Sequence, residues 1–308
     1  MPETIQTIVA LGPVEPALVE PLLSAKHRFV AEPDEEDLAS ADAAIVRAAY
    51  RVDPSVLDRM PRLKVLARTG VGTDLVDVAD AKRRGIPVVI TPGSNTRSVA
   101  EGVFTHLLAL VKRLGELTAV VRDGRWEDRR EVRVGDLDGF TLGIIGYGRI
   151  GRRVEHLARA FDLRVLAYDP FADVPTEIRR DTVEQVLKES DFITLHLPLT
   201  EETQGMFDAG RLASMRRGSI LVNCSRGGLV DLDAALAALE SGQLGGVGLD
   251  VFDPEPPAHH PLFDHPGVTL SPHLMGFTQQ SMANTVKDAV LGALAVLDGN
   301  PPAAVAGS

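Results

Sequence analysis

The stretch Leu142-Gly143-Ile144-Ile145-Gly146-Tyr147-Gly148-Arg149-Ile150-Gly151, followed downstream by Ala167-Tyr168-Asp169, decides the fold. The apolar, β-branched run before Gly146 reads as a buried strand, and Gly146, Gly148 and Gly151 are spaced G-x-G-x-x-G. Behind them Val154, Leu157, Ala158 and Phe161 recur at helical spacing. A second apolar run, 163–168, ends at Asp169, eighteen residues after Gly151. Gly146 allows the tight turn, Gly148 lets the backbone approach a pyrophosphate, and Gly151 lets helix and strand pack closely. The helix N-terminus then faces the phosphates, and Asp169 accepts hydrogen bonds from a ribose. A glycine triplet alone marks many ordinary turns. With strand, helix and acid in order, it points to a dinucleotide. Asp169 favours a free 2′-hydroxyl and repels a 2′-phosphate, and Tyr168-Asp169-Pro170 offers no adjacent arginine, so NAD is expected over NADP.

The chain has 308 residues, enough for about two domains with separate cores. Hydrophobic content of 44% and charged content of 24% are ordinary for a globular protein. A formal net charge of −11 argues against a nucleic-acid partner, and it requires a local basic cluster wherever an anionic substrate binds. Cys224 is the single cysteine, so no intramolecular disulfide can form, which fits a reducing cytoplasm. Met1-Pro2-Glu3-Thr4 opens without a basic n-region and apolar h-region, and no apolar stretch reaches membrane-spanning length. A cytoplasmic protein with no membrane partner is expected.

Around the central stretch the chain alternates strand and helix. Strands are expected over 5–11, 43–46, 64–67 and 87–90, with helices over 16–25, 54–59 and 75–84. Ser98-Val99-Ala100-Glu101 reads as a capping box opening one long helix to about residue 122, a natural crossover between domains. The polar stretch 122–138 holds the only tryptophan, Trp126, either an anchored exposed loop or a dimer arm. Further strands over 191–195, 219–224, 246–250 and 268–270 enclose helices over 206–215 and 232–239. A closing helix spans 278–297, and the small residues after Asn300-Pro301-Pro302 read as a frayed tail. The fold class is α/β with two doubly wound parallel-sheet domains. The second, a Rossmann dinucleotide-binding domain over 98–284, is inserted into the first, a substrate-binding domain of 1–97 plus 285–308.

In open parallel sheets ligands bind beyond the carboxyl ends of strands. Arg226 follows one such end in Asn223-Cys224-Ser225-Arg226-Gly227-Gly228, Glu255 another in Asp250-Val251-Phe252-Asp253-Pro254-Glu255-Pro256, and His273 a third in Ser271-Pro272-His273. Singly these are a loop arginine, a solvated acid and a structural histidine. Together they form a workable set. Histidine exchanges the hydroxyl proton as hydride moves, glutamate holds its tautomer, and arginine forks a carboxylate.

These motifs resemble those of the D-2-hydroxyacid dehydrogenase family, over essentially the whole length. The resemblance implies Arg226, Glu255 and His273 as catalytic residues, with Asp250 near the nicotinamide amide. It implies a substrate carboxylate held by backbone amides at Val71 and Gly72, with Asn95 lining an interdomain cleft. The cofactor-binding set also takes in Arg149, Ile150, His196, Pro198, Thr203 and Cys224. Dimers through the nucleotide domains are usual in the family, so a homodimer is expected. Within the family, Ile45-Val46-Arg47, Ala67-Arg68-Thr69-Gly70-Val71-Gly72 and Ser94-Asn95-Thr96-Arg97-Ser98-Val99-Ala100-Glu101 are most similar to phosphoglycerate dehydrogenases. That marks Arg47 and Arg68 for a substrate phosphate and implies interconversion of 3-phosphoglycerate and 3-phosphohydroxypyruvate, a step of serine biosynthesis. Leu274-Met275-Gly276-Phe277-Thr278 departs from that pattern, being bulkier than the small-residue segment usual in phosphoglycerate enzymes.

Rival readings are a glyoxylate or hydroxypyruvate reductase, which needs no phosphate site, and an NAD-sensing binding protein similar to corepressors of this fold. His196 reads equally as a cofactor neighbour or as structural. Cys224 reads as packing rather than nucleophile, and His106 as satisfied inside its helix. His259, His260 and His265 lack ligand spacing in a Pro-rich loop, so no metal is expected.

Overall fold

The computed structural model describes residues 5–47 and 49–307. Met1-Pro2-Glu3-Thr4, read above for a targeting signal, lies outside them. The chain divides into two compact units, Met1–Asn95 with Thr278–Ser308, and Thr96–Phe277.

The first unit is built on β1 (Gln6–Leu11), β2 (His27–Val30), β3 (Ala41–Val46), β4 (Val65–Arg68) and β5 (Val88–Val89). All pair in parallel, in the order β2-β1-β3-β4-β5. Helices cover both faces, so β3 is buried along its whole length and reads as one apolar run broken only by Asp42. Asp42 is tolerated because it accepts from the Thr7 amide at 3.0 Å and pairs with Lys64 at 3.1 Å. One face packs Leu38, Leu57, Met60 and Leu66, and the other buries Val286, Ala289, Val290 and Ala293 of the closing helix against Ile8 and Ile45.

The second unit is built on β6 (Thr141–Ile145), β7 (Arg164–Tyr168), β8 (Phe192–Leu195), β9 (Ser219–Asn223), β10 (Leu244–Leu249) and β11 (Val268–Leu270). These also pair in parallel, in the order β11-β10-β9-β8-β6-β7. From β6 the chain crosses first to β7 on one side and then to β8 on the other, so the order reverses between β6 and β8. Such switch points leave a crevice at the carboxyl ends of the strands. The helix Thr96–Val111 buries Val103, Phe104 and Leu107 on one face, and Leu187, Phe207 and Leu212 pack on the other.

The structure differs from the sequence reading in four places. The expected domain boundaries at 97 and 285 fall instead at Asn95 and Phe277. The closing helix Gln279–Leu297 is one hydrogen-bonded rod capped by the Thr278 hydroxyl, and a boundary at 285 would cut through it. The long helix starts at Thr96, and Glu101 pairs with Arg97 at 2.6 Å. That helix also ends at Val111, whose carbonyl takes the Gly135 amide; Arg113 then turns at φ 52 into a second helix, Leu114–Arg122. The tail is ordered by pairing rather than frayed. Val305 bridges Val89 antiparallel, and the Ile90 and Ala306 amides bond across to Ala304 and Val88 carbonyls. β2 and the helix Glu35–Ser40, boxed by Asp34 and Asp37, were not expected from the sequence.

Candidate active site

Gly146, immediately after β6, has φ 95, and its amide takes the Tyr168 carbonyl at the end of β7. A Cβ there would strike the His196 carbonyl just beyond β8, so the two strand ends flanking the switch point touch only because residue 146 lacks a side chain. A Cβ at Gly151 would collide with the Gly146 carbonyl, the close helix–turn contact the motif requires. Gly148 caps the helix Arg149–Ala160 without a side-chain hydrogen bond, leaving the amides of Arg149 and Ile150 in the open first turn. Asp169 is held rigidly. Its Oδ2 accepts from the Tyr147 amide at 2.7 Å, and its Oδ1 from the Phe171 and Ala172 amides at 2.8 and 2.9 Å. The fold also brings in Arg152, which lies over the Tyr147 ring at 5.0 Å and donates to the Asp173 carbonyl at 3.2 Å. No arginine adjoins Asp169 in sequence; folding supplies one nearby, already engaged.

Along β8 and its loop, His196 Nε2 meets Thr194 Oγ1 at 3.0 Å, while Nδ1 is sealed from solvent without a partner. Burial pushes its pKa down to about 3, so the ring is neutral at physiological pH. Thr203 Oγ1 donates to the Pro198 carbonyl at 2.8 Å and fixes that loop's shape. Cys224 lies in the core, and burial, with the Asp250 charge adding, pushes its thiol up, so it is inert as a nucleophile.

The three site loops beyond β9, β10 and β11 form one connected structure. Asn223, fully buried, holds the Arg226 loop: its Nδ2 donates to the Arg226 carbonyl at 2.8 Å and its Oδ1 accepts from Ser225 N and Oγ. A Cβ at Gly227 would overlap the Phe252 backbone, so the loop lies flat on the next one. The Phe252 amide donates to Glu255 Oε1 at 3.0 Å, and Glu255 Oε2 meets His273 Nδ1 at 2.8 Å. His273 sits at φ 55, with its ring edge-on to Phe277 at 6.0 Å. Asp250 accepts from Ser271 Oγ at 2.6 Å and from the Leu274 and Met275 amides at 2.9 and 3.1 Å. Sequence reading missed Asn223; the available signal was an amide side chain at the very end of an otherwise apolar strand. In Leu274-Met275-Gly276-Phe277, Met275 fills the space left by Gly102, where any Cβ would overlap it.

In the first unit, Arg68 is buried, and its Nε and Nη1 donate to the carbonyls of Gly72 and Arg47 at 2.6 and 2.7 Å. It therefore shapes the 70–72 loop, in which Val71 is exposed. Gly70, at φ 141, is tied to Thr91 Oγ1 at 2.8 Å. Arg47 follows β3; its guanidinium is half-buried with no hydrogen-bond or ion-pair partner among the described residues, and burial lowers its pKa. Asn95 is the last residue of this unit before the crossing helix. Among the described residues no group of three or more His, Cys, Asp or Glu side chains could hold a metal. Among the described residues, too, no helix is long and apolar enough to cross a membrane.

A doubly wound sheet with a glycine cradle and a ribose-directed acid at its switch point defines a dinucleotide-binding protein. Residues 104–275, more than half of the chain, match the model of the "D-isomer specific 2-hydroxyacid dehydrogenase, NAD binding domain". The chain is 37% identical over 276 residues to D-3-phosphoglycerate dehydrogenase of Bacillus subtilis, covering 88% of this chain and 52% of that one. The TT0316 protein of Thermus thermophilus superposes with a TM-score of 0.90 at 35% identity, over 98% of this chain and all of that one. D-lactate dehydrogenase of Aquifex aeolicus, complexed with NAD and lactic acid, superposes at 0.81 and 30% identity, over 96% of each chain. The chain belongs to the D-isomer specific 2-hydroxyacid dehydrogenase family. It spans about half the length of the curated relatives it matches.

Proposed function

We propose that the protein is an NAD-dependent oxidoreductase interconverting a D-2-hydroxy acid and its 2-oxo acid. The carrying observation is the 2.8 Å contact of His273 Nδ1 with Glu255, on loops buttressed by the Arg226 loop at the strand ends of the NAD-binding unit. A carboxylate accepts only, so Nδ1 carries a proton and Nε2 is left to exchange one with the substrate oxygen. Arg226 forks the substrate carboxylate. Bound NAD supplies or accepts the hydride. The glycine cradle and the fixed Asp169 fit that cofactor, and Asp250 would stand near its amide.

The proposed substrate pair is 3-phosphoglycerate and 3-phosphohydroxypyruvate, with Arg47 as the phosphate contact. A half-buried guanidinium without an acid is costly unless an anion meets it, and the relatives named D-3-phosphoglycerate dehydrogenase support this choice. Arg68 supports the loop instead. Arg47→Ala should weaken use of 3-phosphohydroxypyruvate about ten- to hundredfold more than use of hydroxypyruvate. Steady-state kinetics on the two substrates checks this; equal losses would favour a glyoxylate or hydroxypyruvate reductase. If no 2-oxo acid oxidises NADH, the NAD-sensing binding protein becomes the better reading.

Asp169→Ala should narrow the preference of kcat/KM for NADH over NADPH by about one to two decades, because the lost carboxylate both bonds the ribose diol and repels a 2′-phosphate. Parallel kinetics with the two coenzymes tests it.

We also infer self-association through an apolar face of the second unit. Leu114, Val121, Trp126 and Val134 are all more than half exposed, and Trp126 is braced by the Arg129 guanidinium at 4.7 Å. Light scattering after chromatography should give a dimer, and Val121→Arg a monomer.

A further inference from the structure

The helix Thr96–Val111 carries one polar side chain into the core of the second unit that neither the dinucleotide motif nor the proposed acid–base pair uses. His106 is 3% exposed, with Nδ1 2.8 Å from Thr269 Oγ1 and Nε2 3.0 Å from Ser271 Oγ. The backbone admits it deliberately. It lies over Gly248 in the middle of β10, where any Cβ would come within 2.7 Å of the His106 Cβ. Distances alone do not say which nitrogen holds the proton, but the neighbours do.

Asp250 Oδ1 accepts from Ser271 Oγ at 2.6 Å and from the Leu274 amide at 2.9 Å, and Oδ2 from the Met275 amide at 3.1 Å. Amides only donate, so Asp250 is the acceptor of this cluster, and the single Ser271 proton points at it. Ser271 Oγ must then accept from His106. Burial lowers the His106 pKa against the opposing pull of Asp250, so the ring is neutral and holds one proton. That proton is on Nε2. Nδ1 is left as an acceptor, and Thr269 donates to it. The whole chain of bonds has one direction, from Thr269 through His106 and Ser271 to Asp250.

The arrangement matters because of what hangs from it. His273 sits at φ 55, a left-handed conformation that is strained for a non-glycine residue and persists only where the surroundings over-determine it. Residues 271, 274 and 275, on either side of it, are all tied to Asp250. We propose that His106 is a positioning residue: its Nε2–H fixes the Ser271 hydroxyl onto Asp250 and so holds the 271–275 turn that presents His273. The kinetic consequence rests on the acid–base reading of His273; the tautomer and the anchoring of the turn do not.

Three variants separate a donor from a filler. A glutamine amide reaches the position of Nε2 and can donate to Ser271, asparagine reaches only the position of Nδ1, and leucine fills volume without donating. Long-range 1H–15N spectra of the wild type, with His106 assigned by its loss in His106→Gln, should show the proton on Nε2. Amide exchange at Leu274 and Met275 should speed up about tenfold in His106→Leu and His106→Asn and stay within about threefold of wild type in His106→Gln. The kcat for 2-oxo acid reduction should fall in the same order. A packing role would rank leucine level with or above glutamine. That ranking, or a proton on Nδ1, overturns the proposal. Exchange in the donor order with no turnover by any form, wild type included, upholds the anchoring and sinks the catalytic reading instead. The wild-type spectrum, with His106 assigned through whichever of the three variants folds, decides the tautomer even if the others do not.

Discussion

His273→Asn should lower kcat for 2-oxo acid reduction by about 10²–10⁴-fold while leaving NADH affinity within about twofold. Asparagine is chosen because it visits left-handed backbone readily, so the φ of 55 is kept and the loss reports chemistry rather than strain. NADH fluorescence titration and stopped-flow reduction measure the two quantities separately. The partner change, Glu255→Gln, removes the counter-charge of the imidazolium that acts as acid in reduction. The amide oxygen can still accept from Nδ1, but the amide can equally turn its NH2 to the ring and select the wrong tautomer, so kcat should fall, though by less than in His273→Asn. An unchanged kcat in Glu255→Gln would break the dyad assignment.

Arg226 carries the second large effect. A guanidinium–carboxylate fork makes two charge-assisted hydrogen bonds of about 1.5–3 kcal/mol each, so Arg226→Ala should lose about 10²–10⁴ in kcat/KM. Arg226→Lys keeps the charge but not the fork, and should still lose about ten- to hundredfold. The loop itself should survive both changes. It is held mainly by Asn223 on the Arg226 carbonyl and by the flat contact of Gly227 with Phe252, to which the guanidinium adds a bond from Nη1 to the Ser225 carbonyl at 2.7 Å. A melting temperature lowered only slightly, by the lost bond to Ser225, beside a lost kcat/KM is therefore the expected signature. If both fell together, Arg226 would be a structural residue.

The residues in these experiments were legible in the sequence to different degrees. Arg226, Glu255 and His273 could be nominated because each follows an apolar run, and in a parallel sheet every strand's carboxyl end opens on the same edge. Their connection was not legible: the Phe252 amide on Glu255 and the Asn223 side chain under Arg226 appear only when the loops are folded. Arg47 and Arg68 looked alike from spacing. In the structure Arg68 is buried with donors on two carbonyls, whereas the half-buried Arg47 guanidinium has no hydrogen-bond or ion-pair partner among the described residues.

By itself the sequence determined the dinucleotide unit. Glycine spacing, the helix behind it and Asp169 are local to one strand–helix–strand segment, where short-range sterics leave few alternatives. It also determined the α/β class, since alternating apolar runs can be buried only by a sheet covered on both faces. Tertiary structure decided which polar groups meet. His106 finds Ser271 across 165 residues of sequence, and Ser271 finds Asp250 across 21. The final strand-like tail returns to β5, and the break at Arg113 follows from Gly135 reaching the Val111 carbonyl. Such choices depend on packing that excludes water and leaves each buried donor only the acceptors within reach, a condition no local pattern encodes.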